Sequence, residues 1–324
     1  MDSLFQERTD LNRLTEAIQK IRDAIGAIVV GQTAMIDLMV AGLLSDGHLL
    51  IEGVPGVAKT LSAKLLAKSL QIPFSRLQFT PDLMPSDVLG TSVFNPSDAQ
   101  FQFKRGPIFS SIILIDEINR APAKTQSALF EVMEERQVTI DGNTYPMLSP
   151  FLVIATQNPI EQEGTYRLPE AQLDRFLFKI NVGYPTLEEE IQILERQQFQ
   201  QAGDLLKEVH PVLTPEDIAV FRYMVRQMVV EPKLLRYIAS IVAETRNNGD
   251  LYLGASPRAS LSILQASKAI AGIRGRDFVL PDDILEVAPA VLRHRIILTP
   301  EKEMEGLTPE TMIGQMIAKV EVPR

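Results

Sequence analysis

The stretch Gly53-Val54-Pro55-Gly56-Val57-Ala58-Lys59-Thr60 constrains the fold of this chain more than any other. It follows the apolar run Leu49-Leu50-Ile51 and precedes a helical pattern that runs from Leu61 to Leu70. A strand, a glycine-rich turn and a helix in that order let backbone N–H groups wrap a phosphate chain at the positive end of the helix. Residues Gly53 to Leu61 would form that cradle, with Lys59 reaching the outer phosphates and the Thr60 hydroxyl ligating Mg²⁺. The pattern G-x-x-x-x-G-K-[ST] has Ala58 at its second glycine. If that position needs a positive φ, a non-glycine residue costs about 1–2 kcal/mol. Taken alone, the segment also reads as an ordinary Gly/Pro turn.

A second segment points the same way. Ser111-Ile112-Ile113-Leu114-Ile115-Asp116-Glu117 is an apolar run closed by two adjacent carboxylates. A parallel strand covered by helices on both faces reads as such a run, and ligands of open α/β sheets bind at the C-terminal strand ends. Asp116 could hold Mg²⁺ there, directly or through its water shell, and Glu117 could orient and polarise an attacking water. A solvated acidic strand end is the bland alternative, and the phosphate-type loop upstream argues against it.

Composition narrows the class. With 45% hydrophobic and 23% charged residues the 324-residue chain has the balance of a globular protein with room for one large domain and a smaller one. No apolar run approaches the roughly 18–20 residues that span a bilayer, and Met1 to Glu7 does not read as a secretory leader. The absence of cysteine removes disulfide and thiolate chemistry and fits a cytoplasmic setting. His48, His210 and His294 lie far apart without ligand spacing and read as structural or surface residues. A net charge of −9, with scattered Lys and Arg, counts against nucleic acid as the default partner.

Residues 9–25 carry apolar positions at helical spacing, and a second helix is expected over 33–44. Strands are expected at 48–52, 74–79, 111–116, 151–157 and 177–182, most of them separated by helices. That alternation predicts an α/β fold, a three-layer αβα core around a parallel five-stranded sheet. After Tyr184-Pro185 the period becomes helical, over 187–201, 214–229, 232–247, 258–272, 281–292 and 309–320, the last capped by Thr308. We therefore expect a core over residues 1–185 and a smaller all-α lid over 186–324. Two insertions interrupt the core: a hairpin-like stretch from Gly90 to Phe103, and a clearer hairpin from Gln137 to Tyr145 with Asp141-Gly142-Asn143 at its turn.

The whole set resembles the AAA+ ATPases and, within them, the MoxR family. The likeness rests on Val30-Gly31-Gln32, Glu52 to Thr60, Gln78-Phe79-Thr80-Pro81-Asp82-Leu83-Met84-Pro85-Ser86-Asp87 and Asp116-Glu117-Ile118-Asn119-Arg120-Ala121. Thr156-Gln157-Asn158-Pro159, the run from Leu168 to Phe176, and Gly254-Ala255-Ser256-Pro257-Arg258 complete it. The resemblance implies that Gly31 and Gln32 line an adenine pocket and that Asn158 is the sensor 1 residue facing the γ-phosphate. It implies that Arg175 is an arginine finger reaching a neighbouring subunit's nucleotide. Arg258 would be the sensor 2 residue that reports the nucleotide to the lid. The two insertions correspond to the family's helix-2 insert and pre-sensor-1 hairpin, and an alanine at position 58 is a family trait.

The implied activity is Mg²⁺-dependent ATP hydrolysis, with ATP and Mg²⁺ as ligands, in a ring expected to be hexameric. The implied task is chaperone-like maturation of a protein client, often beside a partner with a von Willebrand factor A domain. Three alternatives stand beside it: a nucleic-acid remodelling motor, a magnesium-chelatase-like motor subunit, and a nucleotide-gated scaffold with negligible turnover.

Overall fold

The computed structural model describes residues 10–97, 99–159, 164–199 and 209–323. Helices α1 (Asn12–Gly26) and α2 (Thr33–Leu44) lead into β1 (His48–Gly53), α3 (Lys59–Lys68), β2 (Phe74–Gln78) and α4 (Pro85–Leu89). The hairpin β3 (Gly90–Asn95) and β4 (Gln100–Arg105) precedes β5 (Ile112–Asp116) and α5 (Ala123–Glu135). The hairpin β6 (Gln137–Ile140) and β7 (Asn143–Pro146) precedes β8 (Leu152–Gln157), α6 (Glu170–Leu173) and β9 (Phe176–Val182). Then follow α7 (Leu187–Phe199), α8 (Pro215–Gln227), α9 (Pro232–Asn247), β10 (Leu251–Leu253), α10 (Pro257–Ile273) and α11 (Pro281–Leu292). The described chain closes with β11 (Ile297–Leu298), α12 (Pro300–Met304) and α13 (Pro309–Lys319). The leader expectation for Met1 to Glu7, the first residue of the helix expected over 9–25 and the last two of that expected over 187–201 lie outside the described residues.

Five strands form one parallel sheet in the order β2-β5-β8-β1-β9. The order follows from the apolar runs. β5 is buried along its whole length, so it must lie inside the sheet, whereas β2, with Phe74, Arg76 and Gln78 partly or largely exposed, tolerates an edge. Alternation along each strand feeds two cores. Leu49, Ile51, Ile112, Leu114, Leu152 and Ile154 join α1, α2, α3 and the C-terminal helices. Leu50, Ile113, Ile115, Val153 and Ala155 instead face Leu129, Phe130 and Met133 of α5. Each fully buried leucine or isoleucine contributes about 1.5–3 kcal/mol, and the two layers together fix the strand ends where the loops diverge.

The C-terminal region is helical, with one addition to the all-α expectation. β10 and β11 form a short antiparallel ribbon, pairing Leu251 with Leu298. Neither strand exceeds three residues, too few for period-2 alternation to appear in the sequence. The first apolar core also runs without a break from Leu14, Ile18 and Ile21 of α1 through Met39 of α2 to Phe221, Ile263, Ile270 and Val287. The N-terminal helices thus pack with the helical region as well as with the sheet.

Both insertions are antiparallel hairpins. The second turns on Asp141 (φ 51°) and Gly142 (φ 77°), the pair of left-handed residues that a two-residue turn of matching twist requires. The hairpins are tied together by a hydrogen bond from Ser92 to Asp141 and by Phe103 against Tyr145, 4.6 Å between ring centroids. Among the described residues, no helix is long and apolar enough to cross a membrane.

Candidate active site

The loop from β1 to α3 opens a cavity of about 430 Å³ at the C-terminal ends of the central strands. Pro55, Gly56, Val57, Ala58, Lys59, Thr60 and Leu61 form one wall, and Arg76, Gln78, Asp116, Glu117, Thr156, Gln157 and Asn158 form the rest. Gly56 has φ +88°, and Ala58, directly before the helix, has φ 59° and ψ 18°. Position 58 is therefore left-handed, and the alanine carries the steric cost anticipated for it. Gly53 and Val54, expected in the cradle, are not among the cavity-lining residues, and Val54 packs against the first apolar core. The Gly53 carbonyl accepts from Lys59 Nζ, which also donates to the Gln157 carbonyl at 3.4 Å and so sits between the ends of β1 and β8.

Asp116 is buried at the end of β5 and saturated with donors. Its Oδ1 accepts from Thr60 Oγ1 at 2.8 Å and from Thr156 Oγ1 at 3.2 Å, and its Oδ2 accepts from Arg76 Nε at 2.7 Å. Glu117 takes a left-handed backbone (φ 57°, ψ 52°), which ends the strand and turns the chain at the cavity. Such conformations persist where surrounding contacts over-determine them. Here the Glu117 N–H donates to Thr156 Oγ1 at 3.2 Å, Oε2 accepts from Gln78 Nε2 at 2.9 Å, and Arg120 Nε lies 3.0 Å from the same oxygen. Asn158 is buried beside the loop.

Thr60 and Asp116 supply hard oxygen donors side by side, which suits Mg²⁺. No cluster of three or more His, Asp or Glu side chains occurs among the described residues. The histidines are structural where buried: His48 bridges the Val153 N–H and the Met133 carbonyl, and His294 bonds the Phe176 carbonyl.

Other expected site residues lie elsewhere. Gly31 and Gln32 are not among the cavity-lining residues; Gly31 (φ +76°) sits against the Glu189 carboxylate at the start of α7. Arg258 does not line the cavity either. It shares Glu134 of α5 with Arg175, whose Nε is 3.3 Å from Glu134 Oε2, while Arg258 Nη2 bonds Oε1. The two arginines border a separate recess of about 290 Å³ with Arg136, Asp174 and Arg295. Arg295 is held by Asp174 at 2.7 Å, and burial pulls its guanidinium below the usual arginine range. An own-subunit role for Arg258 at the cavity is therefore not the arrangement seen. The packing of α10 against α2 sets Arg258 beside Arg175 on Glu134.

Several cavity residues had no role in the sequence reading. Arg76 and Gln78 point to Asp116 and Glu117 from alternate positions of β2, and Thr156 links the Asp116 carboxylate to the Glu117 backbone N–H. The available signal was period 2: two long polar residues, two apart, on a strand leading into the site.

Residues 48–178 match the ATPase family associated with various cellular activities (AAA), and residues 243–315 match an AAA lid domain. Chaperone MoxR1 of Mycobacterium tuberculosis is 45% identical over 97% of this chain and 84% of its own length. The uncharacterised Bacillus subtilis protein YeaC is 45% identical over 94% of each chain. A crystal structure of a candidate ATPase from Cytophaga hutchinsonii superposes with a TM-score of 0.87 at 43% identity, covering 96% of both chains.

Proposed function

The chain belongs to the MoxR family of AAA+ ATPases, and we propose that it hydrolyses ATP with Mg²⁺ as a ring-forming, chaperone-like remodeller of protein clients. The observation that carries this reading is the convergence of Lys59, Thr60, Asp116, Glu117 and Asn158 on one cavity at the strand ends. Loop N–H groups and Lys59 would hold the phosphates. Thr60 and Asp116 would hold Mg²⁺, which when bound neutralises phosphoryl charge. Glu117, steadied by Gln78 and Arg120, would align the attacking water, and Asn158 would face the terminal phosphate.

Arg175 and Arg258 share one carboxylate away from this cavity. We read both as acting on a neighbouring subunit's nucleotide, where a preorganised cation offsets charge as it develops. Gly31 and Gln32 would meet the adenine only if the region around Glu189 rearranges. We take residues 1–185 as the nucleotide core and 186–324 as the lid, with α1 and α2 packing between them, and the ring as a hexamer. A partner with a von Willebrand factor A domain belongs to the same reading. The hairpins would meet the client: Phe94 and Phe101 on the β3–β4 hairpin pack with tilted rings, 5.3 Å between centroids, and are exposed.

The test is Mg²⁺-dependent ATP hydrolysis by the wild type and by Glu117→Gln at several protein concentrations. Turnover per subunit that rises with concentration, with Glu117→Gln binding ATP but not hydrolysing it, is expected. Binding without hydrolysis in both proteins would favour the nucleotide-gated scaffold instead.

A further inference from the structure

The charged residues lining the cavity are Lys59, Arg76, Asp116 and Glu117, two cations against two carboxylates. Remove Arg76 and one lysine would face two carboxylates in a site that must accept a polyanion. Arg76 stands on the edge strand β2, where its Cα partner on β5 is Leu114, two residues before Asp116. Its side chain is 47% exposed, whereas that of Asp116 is 6% exposed. It is attached through Nε alone, 2.7 Å from Asp116 Oδ2. Among the described residues, neither terminal nitrogen of Arg76 has a hydrogen-bond partner. A guanidinium anchored through Nε keeps the planar pair of donors that matches phosphate oxygens. Lys59, by contrast, is a point charge already bonded to the Gly53 and Gln157 carbonyls.

We infer that Arg76 is a second phosphate-binding residue of the cavity, supplied by the same subunit as Lys59, which bridges Asp116 to the bound nucleotide's outer phosphates. The inference rests on the ATPase reading above. It has a consequence that a merely structural role lacks. Mg²⁺ brings positive charge to the same phosphates, and loss of Arg76 leaves Asp116 Oδ2 open to the metal's shell. Nucleotide binding should therefore depend on Arg76 strongly without Mg²⁺ and weakly with it.

The test is calorimetric titration of the full chain with the non-hydrolysable analogue AMPPNP at fixed ionic strength, once in EDTA and once in Mg²⁺. Arg76→Gln should weaken binding about 10- to 100-fold in EDTA, the scale of a charge-assisted hydrogen bond. In Mg²⁺ the loss should be about threefold or less, because the metal substitutes for the missing charge. Arg76→Lys, which keeps the charge, should recover most of the EDTA loss. Equal losses in the two conditions, or no loss in EDTA, overturn the proposal and leave the ATPase reading intact. Failure of the wild type to bind AMPPNP in either condition would overturn both.

Discussion

Two cavity residues, Ala58 and Glu117, hold left-handed backbone without being glycine; the sequence singled out both residues, but anticipated a left-handed backbone only at Ala58. One stood where a loop pattern wants glycine, the other where an apolar strand ends in acid. Arg76 and Gln78 were not singled out, because their partners lie 40 and 39 residues away along the chain. Local motifs fix backbone shape, whereas long-range side-chain pairs depend on which strands become neighbours. His48 shows the same limit and carries a prediction. Its Nδ1 accepts from Val153 N at 3.0 Å and its Nε2–H faces the Met133 carbonyl, so a second ring proton would displace a backbone donor. Burial, with the charge of Arg136 next, lowers its pKa to about 3. Burial likewise takes His294 well below the ordinary range. For a depressed pKa of this kind the stability is present above about 6.5, the unfolded value, and drains away as pH falls toward the folded one. Between pH 7 and pH 5, urea unfolding should show a loss of about 2 kcal/mol from His48 and a further loss from His294. His48→Gln, which keeps a donor and an acceptor without titrating there, should lose one histidine's share less. An unchanged difference between the two pH values would sink the assignment.

At the scale of elements, most of the molecule was legible. The helices at 33–44, 232–247 and 281–292 begin and end where periodicity places them, and the five strands differ by a residue or so at their ends. The reason is chemical punctuation: Pro at the first helical position, Asp-Gly at a hairpin, apolar runs closed by charge. The helix expected from Thr214 illustrates it, since α8 begins at Pro215 with Thr214 as its cap. Thr214 Oγ1 accepts from the Asp217 N–H at 3.2 Å, and the Asp217 carboxylate accepts from the Thr214 N–H at 3.0 Å. Asp217 also pairs with Arg13, which ties the start of α8 to α1. Thr214→Ala should cost about 1 kcal/mol, the usual loss of such a cap, and Thr214→Ser should recover it. Thermal unfolding of the three proteins decides it; a Thr214→Ala protein as stable as the wild type would mean the Asp217 contacts carry the helix start alone. The β10–β11 ribbon escaped notice because it is held by tertiary pairing rather than by any pattern of its own.

At the scale of the molecule, the division of the sequence into a core and a following lid is only partly the division of the packing. One apolar core runs from α1 and α2 into α8, α10 and α11, so the helical region is fixed to the face of the sheet that those helices cover. This placement sets Arg258 beside Arg175 on Glu134, away from Lys59, and no linear reading of the motif at Gly254-Ala255-Ser256-Pro257-Arg258 could have found it. Arg175 and Arg258 share the Glu134 carboxylate, and in the proposed reading this pair would receive an anion brought by another subunit. In the ring proposed above, joined head to tail, each subunit's cavity would meet its neighbour's arginines. The distinction between acting on one's own nucleotide and on a neighbour's can be tested by mixing. Lys59→Ala and Arg258→Ala should each be inactive alone. In a mixed ring, an Arg258→Ala subunit keeps its own Lys59 and can meet an intact Arg258 from a Lys59→Ala neighbour. Random mixing in equal amounts should then make about a quarter of the shared sites complete, since each such head-to-tail interface draws one half from each variant. ATP turnover should therefore reappear on mixing and follow the product of the two fractions. If Arg258 served its own subunit's cavity, every site would lack Lys59 or Arg258 in every mixture, and mixing would restore nothing.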